Sequence, residues 1–399
     1  MTRKRFKMKY LKQVYHRYHK SNNKDKTKIL DEFCKVCGYV RKYAIRKLNA
    51  PLPDDEPPRP IQPGRTRNKT YLKETISMLE IIWQATNYLC GVRLHAAIPI
   101  WMPHLNGQYH LSDKVKKQLM AISPSTIDRR LKDKKLKLKR KIYGTTKPGS
   151  LLKHQIPIKT DNWDVNEPGF TEVDLVSHSG SSAEGDFIHS CNITDIHTAW
   201  TETRAIMGKG QYAALQAIED IQNELPFKLL GLDSDNGSEF INYHLHKYCL
   251  KHKIQFTRSR PYKKDDNAHI EQKNWTHVRK IFGYVRYDSQ QAIIAINDLY
   301  RNELKLLQNL FLPSQKLIKK TRIGSRDIKI YDKPSTPLQR LNNSKSKNIN
   351  KHKLKYFTAL SSSLNPFTLA AVIDNKISSI YKLASKTRPQ KSQQLKLAA

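Results

Sequence analysis

The stretch from about residue 170 to residue 285 constrains the fold most, because short apolar segments alternate there with segments of helical periodicity. Three strands are predicted first, at 171–176, 187–193 and 198–206. They are followed by a helix at 211–225, a strand at 229–234, a helix at 243–253, a strand at 255–259 and a helix at 268–285. This order is typical of an α/β domain. The sequence therefore predicts a five-stranded mixed sheet with flanking helices.

Three carboxylates occupy informative positions in this pattern. Asp174 lies inside the first strand, Asp235 follows the fourth strand, and Glu271 lies on the last helix, with 35 residues between the last two. Phosphodiester transfer uses two Mg²⁺ ions about 3.5–4 Å apart, held by oxygen ligands. We therefore predict that the three acids are catalytic and bind two Mg²⁺ or Mn²⁺ ions.

Two other acids could be mistaken for these ligands. Asp233 and Glu172 each precede a chosen aspartate by two residues, which places them on the same face of a strand. The spacing to Glu271 and the Asn-Gly turn at 236–237 favour Asp235 over Asp233.

A family resemblance rests on these residues. Asp174, the segment Ser-Asp-Asn-Gly-Ser-Glu-Phe at 234–240 and Glu271 resemble the catalytic core of retroviral integrases and of bacterial insertion-sequence transposases of the DDE class. Segments 29–46, 122–129 and 271–279 extend the resemblance over most of residues 27–340. It implies an RNase H-like core at 169–305, with Asp174 bridging both metal ions and Asp235 and Glu271 each holding one.

The charge of the chain points to nucleic acid as a partner. Lys and Arg number 72 against 35 Asp and Glu, a formal net charge of +37. Basic residues that neutralise phosphates release counterions and so drive association with DNA. We expect double-stranded DNA, both element ends and target, as the partner, and a homo-oligomer on that DNA. Asn274 and Arg279, near Glu271, are candidate DNA contacts, although ordinary surface placement explains them equally well.

Residues 1–50 are predicted to form an all-α helix-turn-helix domain. A helix capped by Thr27 ends near Gly38, and a basic helix follows at 39–48. Its candidate DNA contacts are Arg41, Lys42 and Arg46. A plain three-helix bundle would show a similar pattern.

A second helical DNA-binding domain is predicted at 70–133, between a Pro-rich linker at 51–69 and a basic linker at 134–168. Helices at 112–122 and 125–131 are expected, the second capped by Ser123 or Ser125. Arg129 and Arg130 are its candidate DNA contacts.

The cysteines leave one alternative open. Cys34 and Cys37 form a Cys-x-x-Cys pair downstream of His16 and His19, which could make a zinc site. The apolar spacing of the same segment favours a helix face on which the cysteines are core residues.

The C-terminal part is predicted to contain a small basic module at 306–341, irregular or β-rich, followed by an Asn/Lys-rich linker and weakly helical tail at 342–399. No segment has the length and apolarity of a membrane span, and no secretory signal is evident. We expect a cytoplasmic, nucleoid-associated protein.

The functional hypothesis is a DNA transposase or integrase that binds the ends of a mobile element and catalyses Mg²⁺-dependent cleavage and strand transfer by direct phosphodiester displacement. Two alternatives are a catalytically silent DNA-binding regulator derived from such an enzyme and a structure-selective nuclease. The nuclease leaves the two upstream DNA-binding domains without a role.

Overall fold

The computed structural model describes residues 3–52, 71–137, 165–235, 237–259, 268–323 and 326–385. Most of the predicted linkers at 51–69 and 134–168, and the tail after residue 385, lie outside the described residues. The chain divides into two compact units, Met1–Thr70 and Tyr71–Ala399. Each unit has its own hydrophobic core.

The first unit is a bundle of three helices. They are α1 (Arg3–Lys20), α2 (Asn23–Cys37) and α3 (Arg41–Asn49). The prediction that Thr27 caps the second helix was wrong, because the Asn22 side chain accepts a hydrogen bond from the Asp25 amide at 3.0 Å and starts the helix earlier. Gly38 ends α2 with a φ of +64°, a backbone conformation that glycine adopts without strain.

The cysteine pair belongs to the core of this bundle. The Cys37 side chain is only 1% exposed and clusters with Phe33 and Leu48, and burial raises the pKa of its thiol. His19 is engaged elsewhere, with its Nε2 2.8 Å from the Leu48 carbonyl oxygen. No group of three His, Cys, Asp or Glu residues within the described ranges could hold a metal ion. The structure therefore favours the core interpretation over zinc.

The second unit is built around a five-stranded mixed sheet. Its strands are β1 (Phe170–Ser177), β2 (Ile188–Asp195), β3 (Thr201–Met207), β4 (Gly231–Ser234) and β5 (Gln255–Arg258). The order is β3-β2-β1-β4-β5; β1, β2 and β3 pair antiparallel, whereas β4 runs parallel to β1 and β5 parallel to β4. The predicted mixed sheet with flanking helices is confirmed, and it is consistent with an RNase H-like fold.

Helices precede the sheet in the same unit. They are α4 (Lys73–Ala85), α5 (Gly91–Tyr109), α6 (Asp113–Ala121), α7 (Pro124–Arg130) and α8 (Lys132–Lys137). Helix α5 was not predicted, because its internal Pro99 and Pro103 are residues that usually break helices. Ser123 caps α7, accepting a hydrogen bond from the Thr126 amide at 3.3 Å, with Pro124 in the first turn.

Helices also pack on the sheet. They are α9 (Gln211–Glu224), α10 (Tyr243–His252), α11 (Ala268–Lys273), α12 (Lys280–Phe282) and α13 (Gln290–Leu299). A π-helical segment, Asn274–Arg279, joins α11 to α12, and two more, Tyr300–Leu304 and Leu307–Phe311, follow α13. The single helix predicted at 268–285 is thus interrupted by a wider turn, a feature often found at functional sites.

The C-terminal part adds a hairpin of β6 (Leu317–Ile323) and β7 (Arg326–Tyr331), then α14 (Pro337–Asn343), α15 (Lys351–Ser363) and α16 (Pro366–Lys382). Between α14 and α15, the Asn348 side-chain amide donates to the Pro168 and Lys228 carbonyl oxygens at 2.5 and 2.9 Å. On α16, Phe367 packs edge-on against Trp101 at 4.9 Å. No helix in the described part of the chain is long and apolar enough to cross a membrane.

Candidate active site

Strand pairing brings Asp174 and Asp235 together. Strands β1 and β4 are parallel neighbours, and Val173 pairs with Ser234. Asp174 and Asp235 each come directly after one member of this pair, so they lie side by side on adjacent backbone segments. Burial, reinforced by the charge of Asp235, raises the pKa of Asp174 to about 7. Burial also raises the pKa of Asp235. Two buried carboxylates that repel each other are difficult to ionise together.

Asn274 holds one of these carboxylates in place. Its side-chain amide donates a hydrogen bond to Asp174 Oδ2 at 2.6 Å. Its own Oδ1 accepts a hydrogen bond from the Asn192 side chain at 2.9 Å, which fixes the orientation of the amide group. Asn274, a predicted DNA contact, is therefore a neighbour of Asp174 in this structure.

Glu172 fixes the start of the same helical segment. Its side chain is buried, and its Oε2 accepts a hydrogen bond from the Ile270 amide, in the first turn of α11, at 2.8 Å. Glu172 and Asp174 share a face of β1 and engage Ile270 and Asn274 respectively. The strand therefore holds α11 and the π-helical segment at two points one turn apart.

Glu271 does not form a metal-binding group with the two aspartates in this structure. It lies three residues before Asn274 and is exposed. Within the described ranges, no group of three His, Cys, Asp or Glu residues is close enough to hold a metal ion. The structure thus assembles two of the three predicted ligands.

Glu239 is a carboxylate near the site that the sequence analysis did not single out. A Cβ atom added to Gly237 would lie 2.7 Å from Glu239 Oε2 and 2.9 Å from Asp235 Oδ1, so the two carboxylates are neighbours. The Glu239 side chain is 11% exposed and has the Lys209 ammonium 3.8 Å away. Glu239 could have been identified from the sequence, because it lies four residues after Asp235 in a chain with few acidic residues.

Asp233, the competitor of Asp235, points to a different environment. It is fully buried, and its Oδ1 accepts a hydrogen bond from the Thr257 hydroxyl at 2.6 Å. This contact ties β4 to β5, so Asp233 has a structural role.

Arg279 lies at the end of the π-helical segment. Its guanidinium stacks over the Tyr284 ring at 4.6 Å. Burial lowers its pKa, and the nearby charge of Asp174 is among the effects that oppose this shift. Arg279 is therefore close enough to Asp174 to interact with it electrostatically.

The other predicted DNA contacts lie on short helices. On α3, Arg41 forms an ion pair with Asp31, whereas Lys42 and Arg46 are exposed, with Arg46 over the Tyr43 ring at 5.1 Å. On α7, Arg129 and Arg130 are exposed.

The donor set at Asp174 and Asp235 fits a hard divalent cation. Both side chains offer carboxylate oxygens, and neither forms an ion pair with a basic side chain in the described part of the chain. Oxygen-only sites select Mg²⁺ or Mn²⁺ over softer metals. A cation placed there would offset the burial and the charge of Asp235 that together raise the pKa of Asp174.

Comparison with solved structures gives partial matches to retroviral proteins. The catalytic core domain of BIV integrase is 15% identical, covering 47% of this chain and 98% of that one, with a TM-score of 0.30. The HTLV-2 integrase catalytic core domain in complex with magnesium is 13% identical, covering 37% and 90%, with a TM-score of 0.27. A simian T-cell lymphotropic virus intasome in complex with the PP2A regulatory subunit B56 gamma is 13% identical, covering 45% and 59%, with a TM-score of 0.27.

No protein-family model matches the chain. Among curated proteins, the uncharacterized protein y4rM of Sinorhizobium fredii is 37% identical over 330 residues, which make up 82% of this chain and 92% of that protein. The chain therefore belongs to the same protein family as y4rM of Sinorhizobium fredii.

Proposed function

We propose that this chain is a DDE-type DNA transposase or integrase, a polynucleotidyl transferase that cuts and joins DNA strands at the ends of a mobile element. The observation that carries the proposal is the pair Asp174 and Asp235 at neighbouring parallel strands, with Asn274 reaching Asp174 from the helical segment that follows Glu271. Two-metal catalysis of phosphodiester displacement uses carboxylate oxygens gathered in this way from separate elements.

In this proposal Asp174, Asp235 and Glu271 would hold the metal ions. The two Mg²⁺ or Mn²⁺ ions, when bound, activate the attacking hydroxyl and stabilise the leaving oxygen. Asn274 keeps Asp174 oriented, and Glu172 anchors the helix that carries Glu271. Because Glu271 is exposed, its side chain has to turn toward the two aspartates to complete the set.

A second candidate is a catalytically silent DNA-binding regulator derived from such an enzyme. This alternative is favoured by the exposed position of Glu271, which forms no metal-binding group with Asp174 and Asp235 in the structure. The two functions share DNA binding and differ in whether a phosphodiester bond is broken.

The metal dependence of strand transfer tests the proposal. On duplexes carrying the inverted repeats that flank the gene, we expect cleavage and strand transfer in Mg²⁺ or Mn²⁺, complete loss in EDTA, and recovery on adding excess Mg²⁺, because oxygen ligands bind hard cations. Gel assays of labelled ends measure both steps, and a mobility shift in EDTA is the control for binding. Full activity in chelator would contradict the two-metal mechanism, whereas binding without cleavage in Mg²⁺ would support the regulator.

The N-terminal unit is proposed to contact the element ends through α3, with double-stranded DNA as the partner of a homo-oligomer of this chain. Gly38 turns the chain between α2 and α3, and the exposed side chains of Lys42 and Arg46 lie on α3. Helix α7, with Arg129 and Arg130, is the proposed second contact.

Arg46→Ala tests base contact by α3. We expect a loss of about 1–3 kcal/mol in binding to the terminal repeats with little change in binding to unrelated duplex, because a base contact discriminates between sequences. Lys24→Ala, at an exposed position on α2, is the charge-matched control and should affect both duplexes slightly and equally. Competition binding measures the two affinities. An equal loss on both duplexes in Arg46→Ala would mean that α3 supplies charge alone.

A further inference from the structure

A cavity of about 670 Å³ lies in the second unit, between α4, α5, α16 and the π-helical segment that carries Asn274. Its lining combines apolar side chains, among them Leu307, Phe367 and Ile377, with three basic ones, Arg93, His277 and Lys280. Sites for small molecules commonly have volumes of about 300–1,000 Å³ and a mainly apolar lining with a few polar groups. The cavity has the size and the mixed chemistry of such a site.

The basic groups of this cavity have neutral partners. Arg93 Nε donates to the Pro313 carbonyl oxygen at 2.6 Å, and Lys280 Nζ donates to the Asn87 carbonyl oxygen. His277 Nδ1 lies 2.7 Å from the Thr276 hydroxyl. Among the described residues, no carboxylate contacts any of the three bases.

A fourth basic residue, Lys273, contacts His277 but does not line the cavity. Lys273 is buried, its Nζ donates to the Ala199 carbonyl oxygen at 3.2 Å, and it lies 3.4 Å from His277 Nε2. Burial, reinforced by the charge of Arg93, lowers the pKa of Lys273 and lowers that of Lys280 to about 8. Burial likewise lowers the pKa of His277, whereas Arg93 is half-buried and Lys280 is exposed, so Arg93 and Lys280 supply the positive charge at the cavity.

Asp374, the acid that lines the same cavity, does not compensate for them. Burial raises the pKa of Asp374, and no basic neighbour offsets this shift. Arg93 and Lys280 therefore face one cavity without a carboxylate partner in the described part of the chain, and charged donors in this arrangement favour an anionic ligand.

We propose that this cavity binds a small phosphate-bearing organic anion, whose phosphate contacts Arg93 and Lys280 and whose apolar body contacts Leu307, Phe367 and Ile377. A phosphate monoester carries about 1.5 to 2 negative charges and three acceptor oxygens at neutral pH, which suits several bases better than a single carboxylate does. Asn274, which contacts Asp174, does not line this cavity, and the site does not depend on the proposed catalytic function.

Titration calorimetry on the full chain tests this site with adenosine monophosphate as the probe. We expect one bound molecule per chain, with adenosine at least about tenfold weaker, since the loss of a charge-assisted contact has that scale. Lys280→Ala should weaken binding to a similar extent. Lys247→Ala, at an exposed position on α10 outside the cavity lining, is the charge-matched control and should bind like the unaltered chain.

A second variant distinguishes binding inside the cavity from attraction by positive charge alone. Ala371 is an exposed residue of the lining, so Ala371→Phe should obstruct the cavity and abolish adenosine monophosphate binding while every base is retained. Thermal melting of each variant verifies the fold. Equal losses in Lys280→Ala and Lys247→Ala, or unchanged binding in Ala371→Phe, would overturn the proposal. Displacement of the nucleotide by a short duplex with the same sensitivity to Lys280→Ala would assign the site to backbone phosphate of DNA and would also overturn it.

Discussion

Asp235→Asn is expected to abolish strand cleavage and strand transfer while DNA affinity is kept or improved. The expected loss is about a hundred- to a thousand-fold or more, since removal of one preorganised electrostatic contact slows an enzyme by about 10²- to 10³-fold. Affinity should not fall, because the lost carboxylate repels phosphate. Single-turnover cleavage assays and mobility shifts on the same duplex measure the two effects separately.

Asp233→Asn is the position-matched control for this variant. Asp233 lies two residues earlier on the same strand, and an asparagine there can still accept the hydrogen bond from Thr257. We expect it to retain cleavage activity once thermal melting shows that it is folded. Loss of activity in Asp233→Asn with activity retained in Asp235→Asn would contradict the assignment, as would an equal loss of specific DNA binding in Asp235→Asn.

Asp174→Asn is expected to change the pH dependence of stability. The pKa of Asp174 is about 7 in the folded chain, and an unfolded aspartate has a value of about 3.9. The folded state therefore holds this proton more tightly, so its contribution to stability is present below about pH 4 and is lost as the pH rises toward 7. In metal-free buffer the variant should gain stability relative to the unaltered chain over this interval, by a few kcal/mol, since each pKa unit corresponds to about 1.4 kcal/mol.

Urea unfolding at pH 5 and pH 8, in EDTA and in Mg²⁺, measures this effect. Because Asp174 and Asp235 titrate as a coupled pair, the difference between the two proteins describes the pair rather than one residue. At pH 8, Mg²⁺ should stabilise the unaltered chain more than Asp174→Asn. Asp113→Asn, which removes an exposed acid on α6, is the control. If the free energy of unfolding changed with pH in the same way in Asp174→Asn and in the unaltered chain, burial of Asp174 would have no energetic consequence.

Much of the second unit could be predicted from local periodicity. Each predicted strand and helix between residues 171 and 282 corresponds to an observed element, because alternation of apolar and polar residues depends on neighbours in the chain. Helix α5 was missed for a related reason, since Pro99 and Pro103 signal a break when only local sequence is considered. Tertiary packing outweighs that local penalty, for example through Trp101, which is fully buried and donates to the Phe311 carbonyl oxygen at 3.0 Å.

By itself, the sequence determined which residue types stand inside β1, directly after β4 and on the helix after β5. The tertiary structure decided how these residues are used. Asn274 reaches Asp174 across 100 positions of sequence, and Glu172 holds the Ile270 amide across 98, whereas Glu271 on the same helix is exposed. Spacing along the chain fixes which residues share a helix face, but burial and the charge of neighbours that are distant in sequence determine which carboxylates meet and how readily they ionise.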